Sequence, residues 1–98
     1  MNIQAMMKQA QKLQKEMMTT KDEIEKSIFI GKSSLVEVEL FGNKKVNKIK
    51  INNDDLQLDE MDLLEDMIVT AINDAMNQID KLTDEKMGKF TSGMPGLF

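Results

Sequence analysis

Two apolar rows at helical spacing, with an alternating stretch between them, constrain this chain more than any other feature. Ile3, Met6, Ala10, Leu13, Met17, Thr20 and Ile24 follow one another at steps of 3, 4, 3, 4, 3 and 4, a heptad seam widened by Met7 and Met18. Gln, Lys and Glu, all good helix formers, fill the positions between, and no Gly or Pro interrupts them. The spacing predicts a helix over about residues 3–26. Met61, Leu64, Ile68, Ile72, Ala75, Ile79 and Leu82 form a second row, broadened by Met67, Ala71 and Met76, which predicts a helix over about 59–87. Asp59 is placed to cap it, and Glu60 and Asp62 fall where the positive end of the helix dipole favours acids. Gly88 is expected to end that helix, leaving 88–98, with its Gly, Ser and Pro spacing, as a mobile tail.

Between the rows, SIFIGKSSLVEVELFGNKKVNKIKINN changes to alternation and is rich in β-branched residues. Strands are expected at about 28–30, ended by a break at Gly31-Lys32-Ser33, and at about 35–41 and 46–51. Cross-strand pairing sets the register of the second hairpin. A loop from Gly42 to Lys45 puts Phe41 opposite Val46, Val38 opposite Ile49 and Val36 opposite Ile51, with Glu39 facing Lys48 and Glu37 facing Lys50. One sheet face is then apolar and the other charged, so the helices should cover one face. The fold class expected is α+β, a single α-β-β-β-α domain with a three-stranded antiparallel sheet. No internal repeat or second domain is visible in 98 residues.

Composition narrows the chemistry. With four Phe and neither Trp nor Tyr, the apolar content rests on Ile, Leu, Val and ten Met, which fill gaps well but specify packing loosely. A domain this small gains by burying surface against a copy of itself, so an oligomer is expected. Without Cys or His there are no disulfides, imidazole bases or common zinc ligand sets, which fits a reducing cytoplasm. No apolar run approaches the roughly 18 residues of a membrane span, nor the ~7–15 of a signal-peptide core. No nucleophile with a base can be assembled, so neither catalysis nor a cofactor or small-molecule substrate is expected. The acids Asp54, Asp55, Asp59, Glu60, Asp62, Glu65 and Asp66 lack the ligand spacing and central Gly of a calcium loop and read as a cap and a solvated face. Asn73 and Asp74 are polar residues beside the second seam, with no reaction attached.

The net charge of −4 conceals a sorting of sign. Residues 1–15 carry three Lys and no acid, residues 27–53 five Lys against two Glu, and residues 54–85 eleven acids against one Lys. Lys8, Lys12 and Lys15 stand at i, i+4 and i+7, opposite the first apolar row. From spacing alone they are the solvated face of a coiled-coil helix, although such a face usually interleaves Glu. A membrane-surface helix would carry bulkier Trp, Phe or Leu than the Met and Ala found here. Lys86 and Lys89 read either as C-terminal helix cations or as an extension of the basic surface. Lys44 and Lys45 read as loop-tip residues, and Lys48 and Lys50 as partners of the strand glutamates.

Three stretches in order, MMKQAQKLQKEM, LLEDMIVTAINDAMNQI and KMGKFTSGMPGLF, resemble the YbaB/EbfC family of small bacterial nucleoid-associated proteins across nearly the whole chain. The resemblance implies a homodimer whose helices project as arms, with double-stranded DNA bound between or along them in the cytoplasmic nucleoid, and no catalysis. It makes phosphate contact the better reading of Lys8, Lys12 and Lys15, with Lys86 and Lys89 secondary. The chain has no Arg, so contact should be to the backbone, with little sequence preference. Met6, Ala10, Leu13, Met17, Leu64, Ile68, Ile72, Ala75 and Ile79 are expected to form the core and dimer seam. The alternative is a helical adaptor that docks an acidic protein on the same lysines.

Overall fold

A computed structural model of the chain describes residues 2–52 and 58–93, with side chains over 2–52 and 59–90. Along the sequence run α1 (Ile3–Lys26), β1 (Ile28–Ser33), β2 (Val36–Phe41), β3 (Val46–Ile51), a 3-10 turn (Leu58–Glu60) and α2 (Met61–Gly93). Asn2 starts α1, its side-chain carbonyl accepting from the N–H groups of Gln4 at 3.1 Å and Ala5 at 3.3 Å. Ser27 stops it by turning extended, its hydroxyl donating to the Glu23 carbonyl at 2.7 Å. Asp59 lies in the 3-10 turn, so α2 proper begins one residue later than the expected cap implies. Asp54 and Asp55 of the acid cluster, and the last five residues of the expected tail, lie outside the described residues.

The sheet has strand order β1-β2-β3, antiparallel throughout. Four expected pairs occur: Val36 with Ile51, Glu37 with Lys50, Val38 with Ile49 and Glu39 with Lys48. The hairpin end differs, because Val46 faces Leu40 rather than Phe41 and the register shifts between Glu39 and Leu40. A bulge at Asn47 absorbs the extra residue, and the turn closes through Lys44 N–H to the Phe41 carbonyl at 2.8 Å, with Lys44 at φ 73°. Glu37 and Glu39 stay opposite Lys50 and Lys48, but their side chains meet other partners. Glu37 pairs with Lys32 at 3.6 Å and Glu39 accepts from the Asn47 amide at 3.3 Å, while Lys44 reaches Asp80 on α2 at 3.2 Å.

Val36, Val38 and Leu40 are fully buried beneath Leu64, Met67, Ala71, Ala75 and Ile79, and α2 crosses β1 and β2. Here β1 departs from the expected short strand, running through Gly31 to Ser33. Gly31 is a site of close approach, not a break: a Cβ there would collide with the Ala71 carbonyl oxygen and lie 2.6 Å from the Ala75 nitrogen. Asp74 and Gln78 fasten the helix to the β1 edge. The Asp74 carboxylate accepts from Lys32 N–H at 2.9 Å, and the Gln78 amide donates to the Ile30 carbonyl at 2.8 Å.

Among the described residues no such cover lies over β3. Val46, Ile49 and Ile51 share the inner face with Val36, Val38 and Leu40, yet remain 50%, 44% and 37% exposed. At about 100° per residue, Ile68, Ile72 and Met76 lie on the α2 flank away from Asp74, and all three are only partly buried. The helix flank and the bare strand form two apolar walls of a trough.

A second correction concerns the end of α2. The helix does not stop at Gly88 but continues to Gly93, and Phe90 is 1% exposed. The apolar period carries on through Thr83, Met87 and Phe90, and burial of a phenyl ring outweighs the ~1 kcal/mol cost of one helical Gly. The protein therefore extends over 71 × 19 × 13 Å, with a radius of gyration of 19.5 Å. A compact chain of this length would have about 13 Å. The long dimension is an arm in which the second half of α1 packs on the last turns of α2.

Candidate nucleic-acid interface

Helical geometry puts Lys8, Lys12 and Lys15 within about 60° of one another around α1, and all three are exposed. Lys26, further along the same face, is engaged locally. Its ammonium meets the Asp22 carboxylate at 2.8 Å, and that hydrogen bond, with the carboxylate's charge behind it, raises the lysine pKa above its ordinary value. The free part of the stripe is therefore the half toward the N-terminus.

The two helices of the arm run antiparallel. Lys21 and Ile24 share a depression with Ile79 and Thr83, whereas Lys12 and Lys15 share one with Lys89. That second groove is lined by Lys12, Lys15, Glu16, Thr19, Thr20 and Lys89. Three lysines, two threonines and one glutamate, drawn from both helices, thus line a common open space. Lys89 is held near the groove by its neighbour, with Nζ 5.0 Å from the centroid of the buried Phe90 ring. Lys86 is exposed on α2, and it and Lys8 are not among the residues lining this groove.

The continuation of α2 also removes one reading of Lys86 and Lys89. The last turn of the helix carries no basic residue, so neither lysine complements its C-terminal dipole. Of the expected seam, Leu64, Ala75 and Ile79 are buried, and Ile68 and Ile72 flank the core. Leu13 and Met17 are half-buried, and Met6 and Ala10 are exposed. The apolar row of α1 is thus covered only where α2 accompanies it.

The acids that open α2 lie elsewhere, whereas Asp80, Asp84 and Glu85 share the arm with Lys86 and Lys89. Asp62, Glu65 and Asp66 are exposed in the first turns of α2, tens of ångströms along the helix from Lys86 and Lys89 at 1.5 Å per residue. Among the described residues no three acidic side chains converge as a metal site requires, and no helix is long and apolar enough to cross a membrane. Phe90 is the residue of the arm that sequence reasoning assigned wrongly, although its spacing three residues after Met87 carried the signal.

Comparison with known proteins supplies context for this surface. The profile described as the YbaB/EbfC DNA-binding family matches residues 1–94. A protein of Lactococcus lactis subsp. cremoris named nucleoid-associated protein is 47% identical over 97 residues, covering 97% of this chain and 98% of that one. One of Ligilactobacillus salivarius with the same name is 43% identical over 99 residues, covering 99% and 95%. Among solved structures, an uncharacterized protein of Helicobacter pylori superposes with a TM-score of 0.73 over 92% of this chain and 97% of that one, at 17% identity, a likeness of fold.

Proposed function

This chain belongs to the YbaB/EbfC DNA-binding family, and on that footing we propose that it is a nucleoid-associated protein that acts as a homodimer. In this reading it grips the duplex backbone through Lys8, Lys12 and Lys15 of α1 and Lys86 and Lys89 of α2, and catalyses nothing. The observation that carries the reading is that Lys12, Lys15 and Lys89 line one groove from two helices, tens of ångströms along α2 from Asp62, Glu65 and Asp66 at its start. Separation of sign lets a protein of net charge −4 hold a polyanion at one end. An ammonium is a point charge without the planar fork that reads guanine, so the grip follows phosphates and is nearly indifferent to sequence. The names of the relatives support a nucleoid location.

A homodimer is supported by the trough between β3 and the Ile68–Ile72–Met76 flank of α2. Its walls are apolar and partly exposed, and a second copy offers the same flank in return, as a two-fold interface requires. Docking α2 of each copy in the trough of the other would double the lysine surface.

A titration of two unrelated duplexes against wild type and the Lys8→Gln, Lys12→Gln, Lys15→Gln triple variant tests this. Wild type should bind both with affinities within about threefold, and the variant, lacking six cations per dimer, should lose at least about a hundredfold. An adaptor for an acidic protein would leave both duplexes unbound.

A further inference from the structure

The groove of the arm does more than add charge to a stripe. We propose that it is a discrete phosphate subsite in which one phosphate group is held from both helices at once, by Lys12 and Lys15 of α1 and Lys89 of α2. The inference rests on the DNA-binding reading and deepens it, because it ranks lysines that a uniform stripe would leave equal.

Three observations carry it. The lysines that line the groove come from two helices, Lys12 and Lys15 from α1 and Lys89 from α2, whereas Lys8 and Lys86 do not line it. Thr19 and Thr20 line the same groove, and a phosphate oxygen accepts from a hydroxyl as it does from an ammonium group. Lys89 is pre-positioned, since the ring 5.0 Å from its Nζ belongs to a side chain that is 1% exposed and cannot wander.

Glu16 opposes this. Its carboxylate lines the same groove, and among the described residues it makes no ion pair that would neutralise it. It lowers the groove's charge from three to two and repels the ligand. The subsite is therefore tuned below its limit, which suits a grip that must release and slide. The chemistry recognised, a phosphate oxyanion between ammonium and hydroxyl groups, can come from the duplex backbone or from a free condensed phosphate such as tripolyphosphate. The groove is open along its length and accepts either.

The test uses the full chain. Duplex affinity is measured by fluorescence anisotropy for wild type and for Lys12→Gln, Lys89→Gln, Lys8→Gln, Lys86→Gln and Glu16→Gln. Tripolyphosphate is then titrated into 15N-labelled protein while the Thr19 and Thr20 amides are followed. Lys12→Gln and Lys89→Gln should each lose about tenfold or more in duplex affinity, as loss of a charge-assisted contact implies, with Lys89→Arg restoring most of it. Lys8→Gln and Lys86→Gln should lose no more than about threefold, and Glu16→Gln should bind more tightly than wild type. Shifts of Thr19 and Thr20 with tripolyphosphate, and displacement of duplex by it, would add the free source. Their absence with the ranking intact assigns the subsite to the backbone alone. Equal losses at all four lysines overturn the subsite while leaving DNA binding in place. If wild type binds no duplex, the DNA reading fails, and the Thr19 and Thr20 shifts alone decide the groove, their absence overturning it too.

Discussion

Replacing Phe90 by Ala tests the packing on which the whole arm depends. The side chain is 1% exposed in the last turns of α2, where that helix lies along α1. Removing a buried phenyl ring takes roughly 150–200 Å² of apolar surface out of the interior, which at about 25 cal/mol per Å² comes to about 4–5 kcal/mol. Measured Phe→Ala changes in cores fall at about 3–5 kcal/mol, so the two routes agree. For a domain whose total stability is about 5–15 kcal/mol, the loss is a large fraction of the whole. Urea unfolding followed by far-ultraviolet circular dichroism reads it. With a slope of about 1–1.5 kcal/mol per molar urea for a chain of this size, the midpoint should fall by roughly 2–5 M, or the variant should be unfolded before urea is added. Protomer concentration must be held constant, because association adds a mass-action contribution to stability. A loss below about 1 kcal/mol would mean that Phe90 is not packed against α1 and that the helix past Gly88 does not brace the arm.

Three further perturbations follow from the packing. Gly31→Ala drives a methyl group into the backbone of α2 at Ala71 and Ala75 and should cost about 1–3 kcal/mol or more in urea unfolding, and an unchanged midpoint would deny the close approach. Gly88→Ala adds a methyl group where nothing lies within 4 Å, so stability should rise by about 0.5–1 kcal/mol, and a loss would mean that position is not helical. Ile49→Lys places a charge in the bare β3 wall of the trough. Sedimentation velocity should then find a folded monomer where wild type is a dimer, and a variant that still dimerises would move the interface elsewhere.

Much of the fold was legible because its signals are local. The α1 row kept its 3- and 4-residue steps without interruption, and the helix occupies the expected span from Ile3 to Lys26. Apolar and opposite-charge pairing between β2 and β3 set the register over four pairs, since a slip by one would expose every inner residue. The errors arose at glycines. Gly31 and Gly88 were both read as breaks, yet one is demanded by helix contact and the other is carried by burial of the residue two places on. Nothing local separates a glycine that ends an element from one that admits a neighbour. The bulge at Asn47 was hidden because Val46, being apolar, fits opposite Phe41 on the outer face as readily as opposite Leu40 on the inner one. Pairing of Lys89 with Lys12 and Lys15 required the antiparallel course of α1 and α2, a tertiary fact that spacing within one helix cannot carry. The lysine stripe was readable, whereas the groove was not.

The electrostatic grip is tested most sharply by the salt dependence of duplex affinity for the unmodified protein. Between about 50 and 200 mM salt, the logarithm of the association constant should fall linearly with the logarithm of salt concentration. The expected slope is about −5 or steeper, corresponding to six or more neutralised phosphates per dimer at about −0.9 each. A slope shallower than about −2 would contradict the paired lysine arms, because at most two phosphates would then be engaged and the affinity would have to come from some other part of the surface.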